Sequence, residues 1–116
     1  MDKKEWLSQC RVLKNTIIYY DGIINEAKSF QDGEFDQNVK EAISRRDTAS
    51  CELNKRYRAI NQLSNSEEKI VLSLRYISGY NWKGVEKRLS DKGYPLSERK
   101  IYYLHTSGLQ HIKTLQ

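Results

Sequence analysis

The clearest pattern along the chain is a seam of apolar positions near its start. Trp6, Cys10, Leu13, Ile17, Tyr20, Ile24 and Ala27 follow one another at spacings of 4, 3, 4, 3, 4 and 3. That is a heptad a/d repeat, and it predicts a helix over about residues 2–30 that packs on a partner helix. Gly22 lies off the seam and costs the helix about 1 kcal/mol relative to alanine. Residues 31–37 form the first break: Asp32-Gly33 is a turn signal, and Asp36 is the expected N-cap of the next helix. A second helical stripe runs over about 37–63 through Val39, Ala42, Ile43, Ala49, Leu53, Tyr57, Ile60 and Leu63. Ser44 to Thr48 interrupt it. A short loop between two long helices favours an antiparallel hairpin, while pairing of the same helices across a dimer is the competing arrangement.

Three shorter helices are predicted beyond residue 63. Asn65 with Glu68, or Ser66 alone, opens the first of them, with acids in the first turn where the helix dipole favours them. It should run to about Ser78, burying Ile70, Val71, Leu74 and Ile77, and end at Gly79 as a left-handed cap. Asn81 should cap the fourth helix, Trp82 to about Ser90, with Trp82, Val85 and Leu89 inward. Asp91 to Pro95 reads as a turn. Ser97 then caps a fifth helix to about Thr114, with Ile101, Leu104, Gly108, Leu109 and Ile112 inward. The expected fold is therefore all-α: an N-terminal long-helix hairpin, coiled-coil-like, over 1–63 and a three-helix helix-turn-helix over 64–116.

Composition narrows the function classes. The chain has 116 residues, of which 38% are hydrophobic and 30% charged, with a single proline. Such a balance suits exposed amphipathic helices. The net charge of +5 is unevenly placed: residues 1–65 hold 11 Lys/Arg against 10 Asp/Glu, and residues 66–116 hold 9 against 5. A basic excess in the C-terminal part is what a phosphate-facing domain requires, although a solvated face would look the same. Cys10 and Cys51 lie far apart within helical patterns and read as reduced, mostly buried thiols. His105 and His111 give no zinc spacing. No apolar run approaches the roughly 20 residues of a membrane span, and no signal-peptide h-region is visible, so a cytoplasmic protein without membrane partner is expected. No nucleophile–base pair, carboxylate pair, metal cluster or phosphate loop appears, so neither an enzyme nor a cofactor is expected.

The candidate chemistry lies on the fifth helix. With Ile101 and Leu104 as anchors, Glu98, Arg99, Tyr102, Tyr103 and Thr106 point outward, and Lys100 flanks them within reach of a phosphate. Arg99 can form a bidentate fork with guanine O6 and N7, worth ~1–3 kcal/mol against the wrong base. Glu98 can accept from cytosine N4, and the tyrosines can touch thymine methyls or phosphates, unless they pack in a core or dimer interface. Lys83, Lys87 and Arg75 would neutralise phosphates and fix register without reading sequence. Asn81 is grouped with them as a DNA contact. His105 is expected to meet a phosphate or partner, and His111 to lie at the surface.

The phrase Ile70 to Trp82, with its Leu74-Arg75-Tyr76-x-x-Gly79 core, resembles the start of region 4 of sigma-70 factors. Leu96 to His105 resembles that family's recognition helix, with Ser97 as cap. The resemblance implies that Glu98, Arg99, Tyr102 and Tyr103 face bases. In architecture the whole chain is similar to phage-encoded transcription regulators of the ArpU/RinA kind, and in residue detail over 66–113. That resemblance implies a late-gene activator in a bacterial host, bound to double-stranded DNA and in contact with RNA polymerase, with a homodimer through the N-terminal helices as a further option. Two alternatives share the architecture: a phage terminase small subunit, and a sigma-like module that docks on protein instead of DNA. The sequence departs from the family in a turn, Ser90 to Leu96, about five residues longer, and in Glu86, which stands where a small residue faces helix five. A buried unpaired glutamate there would be costly, so a rotated helix four or a cation beside Glu86 is expected.

Overall fold

A computed structural model describes residues 1–28 and 37–113, and among these all regular structure is helical. Helix α1 spans Lys3–Lys28 and α2 spans Gln37–Asn61. Helix α3, Ser66–Leu72, passes directly into a π-helical turn, Ser73–Ile77. Helices α4, Trp82–Asp91, and α5, Glu98–His111, follow. The predicted Asp32-Gly33 turn and the Asp36 cap fall outside the described residues.

The chain divides into two compact units. One comprises Met1–Cys10 with Lys55–Gln116, the other Arg11–Asn54. The division thus falls within α1 and α2, not in the 62–65 connection. In the second unit Ile24, Val39, Ala42, Ala49 and Leu53 are buried, while Leu13, Ile17, Tyr20 and Ala27 of the seam are half-buried. Arg46, in the stretch that interrupts the apolar stripe of α2, reaches Asp21 of α1 at 3.3 Å. Cys10 is buried as expected, but Cys51 is exposed, because it lies between the stripe positions Ala49 and Leu53.

In the first unit two apolar clusters form. Trp6, Leu7, Ala59, Ile60, Leu63, Leu72, Tyr76 and Ile112 make one. Val71, Leu74, Val85, Leu89, Ile101 and Leu104 make the other. Helix α3 and its π turn supply both. In a regular α-helix the expected inward set Ile70, Val71, Leu74 and Ile77 would share one face. The wide turn, closed by Ser78 N–H to the Ser73 carbonyl at 2.9 Å, changes the register. Ile70 is consequently exposed and Ile77 half-buried, while Leu72 and Tyr76 are buried.

Arg56 is the buried polar group that ties the ends of α1 and α2 together. It is only 4% exposed. Its Nε donates to the Trp6 carbonyl at 2.9 Å, its Nη2 donates to Gln9 Oε1, and its guanidinium lies 4.7 Å from the Trp6 ring centroid. Stacking on the indole covers the apolar face of the guanidinium, while the hydrogen bonds satisfy its edge.

The helix boundaries follow local capping chemistry. Asn65 accepts from the Glu68 N–H, Asn81 from Gly84 at 2.8 Å, and Ser97 from Lys100 at 3.1 Å. Gly79, at φ +80°, turns the chain out of the π turn in the left-handed conformation the sequence predicted. Helix α5 ends at His111, short of the predicted Thr114, and Leu109 on its expected inward face is half-buried. No helix among the described residues is long and apolar enough to cross a membrane.

Candidate nucleic-acid interface

Helix α5 is held by one face. Ile101 and Leu104 enter the cluster with Val85 and Leu89 of α4, and Gly108 lies against α3. A Cβ at residue 108 would stand 3.0 Å from Leu72 Cδ1, so the absent side chain is what permits the approach of α5 to α3. The Glu68 carboxylate fixes the far end of α5. Glu68 is 2% exposed, and it accepts from Ser107 Oγ at 2.9 Å and from His111 Nδ1 at 2.8 Å. A buried carboxylate is tolerable only with such partners. The sequence suggested a first-turn acid at Glu68 and a surface position for His111. It gave no sign that the two meet, because they lie 43 residues apart.

The opposite face of α5 carries the expected outward set. Glu98, Arg99, Lys100, Tyr102, Tyr103 and Thr106 are all exposed. Lys100 Nζ lies 5.3 Å from the Tyr103 ring centroid, and Tyr102 tilts against Trp82 of α4 at 5.1 Å. Tyr102 therefore leans on a neighbour yet keeps 46% of its surface, and Tyr103 keeps 63%. Neither is a core residue.

Between α4 and α5 lies a shallow cleft of about 90 Å³, lined by Trp82, Lys83, Glu86, Glu98, Ile101 and Tyr102. The expected buried Glu86 is not found there: Glu86 is exposed at the rim, and no cation or rotation of α4 has to compensate it. Val85 and Leu89 turn inward as the pattern predicted, but Trp82 is only half-buried. The cleft carries two carboxylates, Glu86 and Glu98, beside Lys83. Carboxylates at such a rim repel phosphates and can accept hydrogen bonds from amino groups of bases.

The supporting cations divide into two kinds. Lys83 and Lys87 are exposed on α4. Arg75 is half-buried, donates to the Tyr80 carbonyl at 2.9 Å and lies 4.8 Å from the Trp82 ring. Its guanidinium clasps the turn between the π segment and α4. Asn81, grouped with the DNA contacts, here caps α4. Sequence reasoning passed over Arg88, which donates to the Tyr80 hydroxyl at 2.7 Å and reinforces the same turn.

His105 corrects an expectation. It is 6% exposed and unable to meet a phosphate or partner. Its Nε2 shares a 2.7 Å hydrogen bond with the Tyr76 hydroxyl, and the Trp82 ring stands edge-on at 4.7 Å. Burial, and to a smaller extent the charges of Lys4 and Arg75, push its pKa down to about 4. The imidazole is neutral at physiological pH and belongs to the core that supports α5. Its place four residues after Ile101 and one after Leu104 was the available signal.

Compared with protein-family models, curated proteins and solved structures, the chain matches none of them.

Proposed function

We propose that the chain is a sequence-specific DNA-binding transcriptional regulator, with residues 64–113 acting as a sigma-70-region-4-like helix-turn-helix and α5 as the recognition helix. On this reading α1 and α2 form a helical hairpin that serves partner binding, and the family resemblance favours a phage late-gene activator. One observation carries the reading: five polar or aromatic side chains of α5 are exposed on one face, flanked by Lys100, while Ile101, Leu104 and Gly108 fix the other. A helix so anchored can enter a major groove with Arg99, Glu98, Tyr102 and Tyr103 at base edges and Lys100, Lys83 and Lys87 at phosphates. The carboxylates of the α4–α5 cleft favour base contact over phosphate contact at its rim.

The test is a fluorescence-polarisation titration on DNA from the protein's own genomic neighbourhood, against random competitor, at two salt concentrations. Arg99→Ala is expected to reduce the preference for the cognate fragment by roughly 5- to 150-fold, the equivalent of one bidentate base contact. Lys83→Ala and Lys87→Ala are each expected to weaken all sequences alike and to lower the salt slope by about 0.9. Absence of any preference over competitor would discard this reading in favour of a module that docks on protein. Ring-sized particles in solution would favour a terminase-like packaging role.

A further inference from the structure

The first turn of α1 belongs to the compact unit that carries α5 and lies against it. Lys3 Nζ donates to the Gln110 carbonyl at 3.0 Å. Asp2, Lys3 and Lys4 line a shallow depression together with Thr106, Leu109 and Gln110. Thr106 and Gln110 are exposed and continue the outward stripe of α5. Arg99, Tyr103, Thr106 and Gln110 follow at spacings of 4, 3 and 4, within an arc of about 60° at ~100° per residue. From this juxtaposition we propose that Lys4 contacts a DNA phosphate, so that the interface extends beyond 64–113 to the start of α1. The proposal rests on the DNA-binding reading and deepens it. Its ligand is the sugar-phosphate backbone, met without regard to sequence.

The level along α5 fits such a contact. In a recognition helix that enters the major groove N-terminus first, Arg99 meets base edges. Thr106 then stands ~10 Å further out along the axis, at 1.5 Å per residue, against a groove about 8.5 Å deep. That is the level of the phosphates. The charges agree. Lys4 is exposed and forms no ion pair among the described residues. The other charged groups beside it are occupied or turned away. Lys3 is held by the Gln110 carbonyl, and Asp2 Oδ1 accepts from the Glu5 N–H at 2.7 Å. Glu5 stands ~100° round α1 from Lys4 and on the far side of the helix from Lys3, so its carboxylate points away from α5. His111 is engaged by Glu68. The Lys4 charge already reaches α5, since after burial it is the largest cause lowering the His105 pKa.

The experiment is a fluorescence-polarisation titration of the full chain at about 50 and about 200 mM salt. The probes are duplex DNA from the genomic neighbourhood and random duplex DNA. Lys4→Ala is expected to lower the salt slope by about 0.9, the value of one phosphate. The native fall in affinity between the two salts then shrinks ~3-fold, on both probes alike. Lys4→Arg should keep the native slope, because the charge is retained. Glu5→Gln should keep it too, because that carboxylate faces away. Thermal melts check that the variants fold. If Lys4→Ala melts early, Lys4→Gln gives the same reading, since it keeps part of the aliphatic stem on α5. A native slope in both neutral variants overturns the phosphate contact and leaves the DNA-binding reading standing. A slope that responds equally to Glu5→Gln reports net charge alone and also overturns it. Loss of sequence preference with Lys4→Ala overturns it in favour of a role in positioning α5. A native chain that binds neither probe overturns both readings.

Discussion

The most informative single residue is His105. It sits in a core of Tyr76, Trp82 and Leu104, and burial holds its pKa at about 4, well below the ordinary 6.5. Between these values the unfolded chain binds a proton that the folded chain refuses. The stabilising contribution is therefore complete above about pH 6.5 and is lost as pH falls toward 4, by on the order of 2–3 kcal/mol. Urea denaturation at pH 7 and at pH 4.5 checks this. The paired variant His105→Phe with Tyr76→Phe, which removes both polar partners together, is expected to lose less stability between the two pH values than the native chain. An equal loss would show that His105 is not the group responsible. Helical periodicity left His105 outside the inward set of α5, and the sequence reading gave it a phosphate or partner contact instead of burial. Burial depended on Tyr76, brought inward by a π turn that no periodicity announces. Arg56 is a similar case, since Leu53, Arg56, Ile60 and Leu63 keep the seam spacing with an arginine in an apolar position. The carbonyl and ring of Trp6 and the amide of Gln9 explain how it is tolerated.

At the scale of elements, capping was legible because it is local. Asn65, Asn81, Ser97 and Gly79 each act within three or four residues of themselves, and each stands where the sequence put it. Packing between elements was not legible in the same way. Gly108 illustrates this. Alanine there would gain about 1 kcal/mol of helix propensity, but its Cβ would press on Leu72, which is fully buried and has little room to yield. Overpacking of this kind costs roughly 1–3 kcal/mol, so Gly108→Ala should destabilise by about 1 kcal/mol net. Gly22 has nothing within 4 Å of its missing Cβ and lies in an exposed helix turn. Gly22→Ala is therefore expected to stabilise, by up to about 1 kcal/mol. Thermal melts of both variants against the native chain decide the pair, and a gain from Gly108→Ala would mean that α5 moves away from α3 at little cost.

At the scale of the molecule, the unit that carries α5 is drawn from both ends of the chain. Trp6 and Leu7 come from α1, Ala59 and Ile60 from the end of α2, and Leu63 from the connection after it, to complete the cluster of Leu72, Tyr76 and Ile112. A fragment of residues 64–116 lacks all five. Full burial of a large apolar side chain contributes about 1.5–3 kcal/mol, so the loss rivals the whole stability of a domain this size, about 5–15 kcal/mol. The fragment is expected to show no cooperative melt by circular dichroism, whereas the full chain melts cooperatively. A fragment that folds by itself would show that Val71, Leu74, Val85, Leu89, Ile101 and Leu104 suffice as a core.

The sequence by itself determined which segments are helical, where the last three begin, and that Glu98, Arg99, Lys100, Tyr102, Tyr103 and Thr106 of α5 face solvent. These follow from hydrophobic periodicity and capping, which are properties of neighbours in the chain. Tertiary structure alone decided that Glu68 anchors His111 and Ser107, that Arg75 clasps a turn, that His105 is core and Glu86 rim, and that residues 1–10 complete the unit bearing α5. Most of these depend on a contact between positions far apart in sequence, as Glu68 with His111 and Tyr76 with His105 do. Burial and pairing there are set by which surfaces meet, and local pattern carries no record of that.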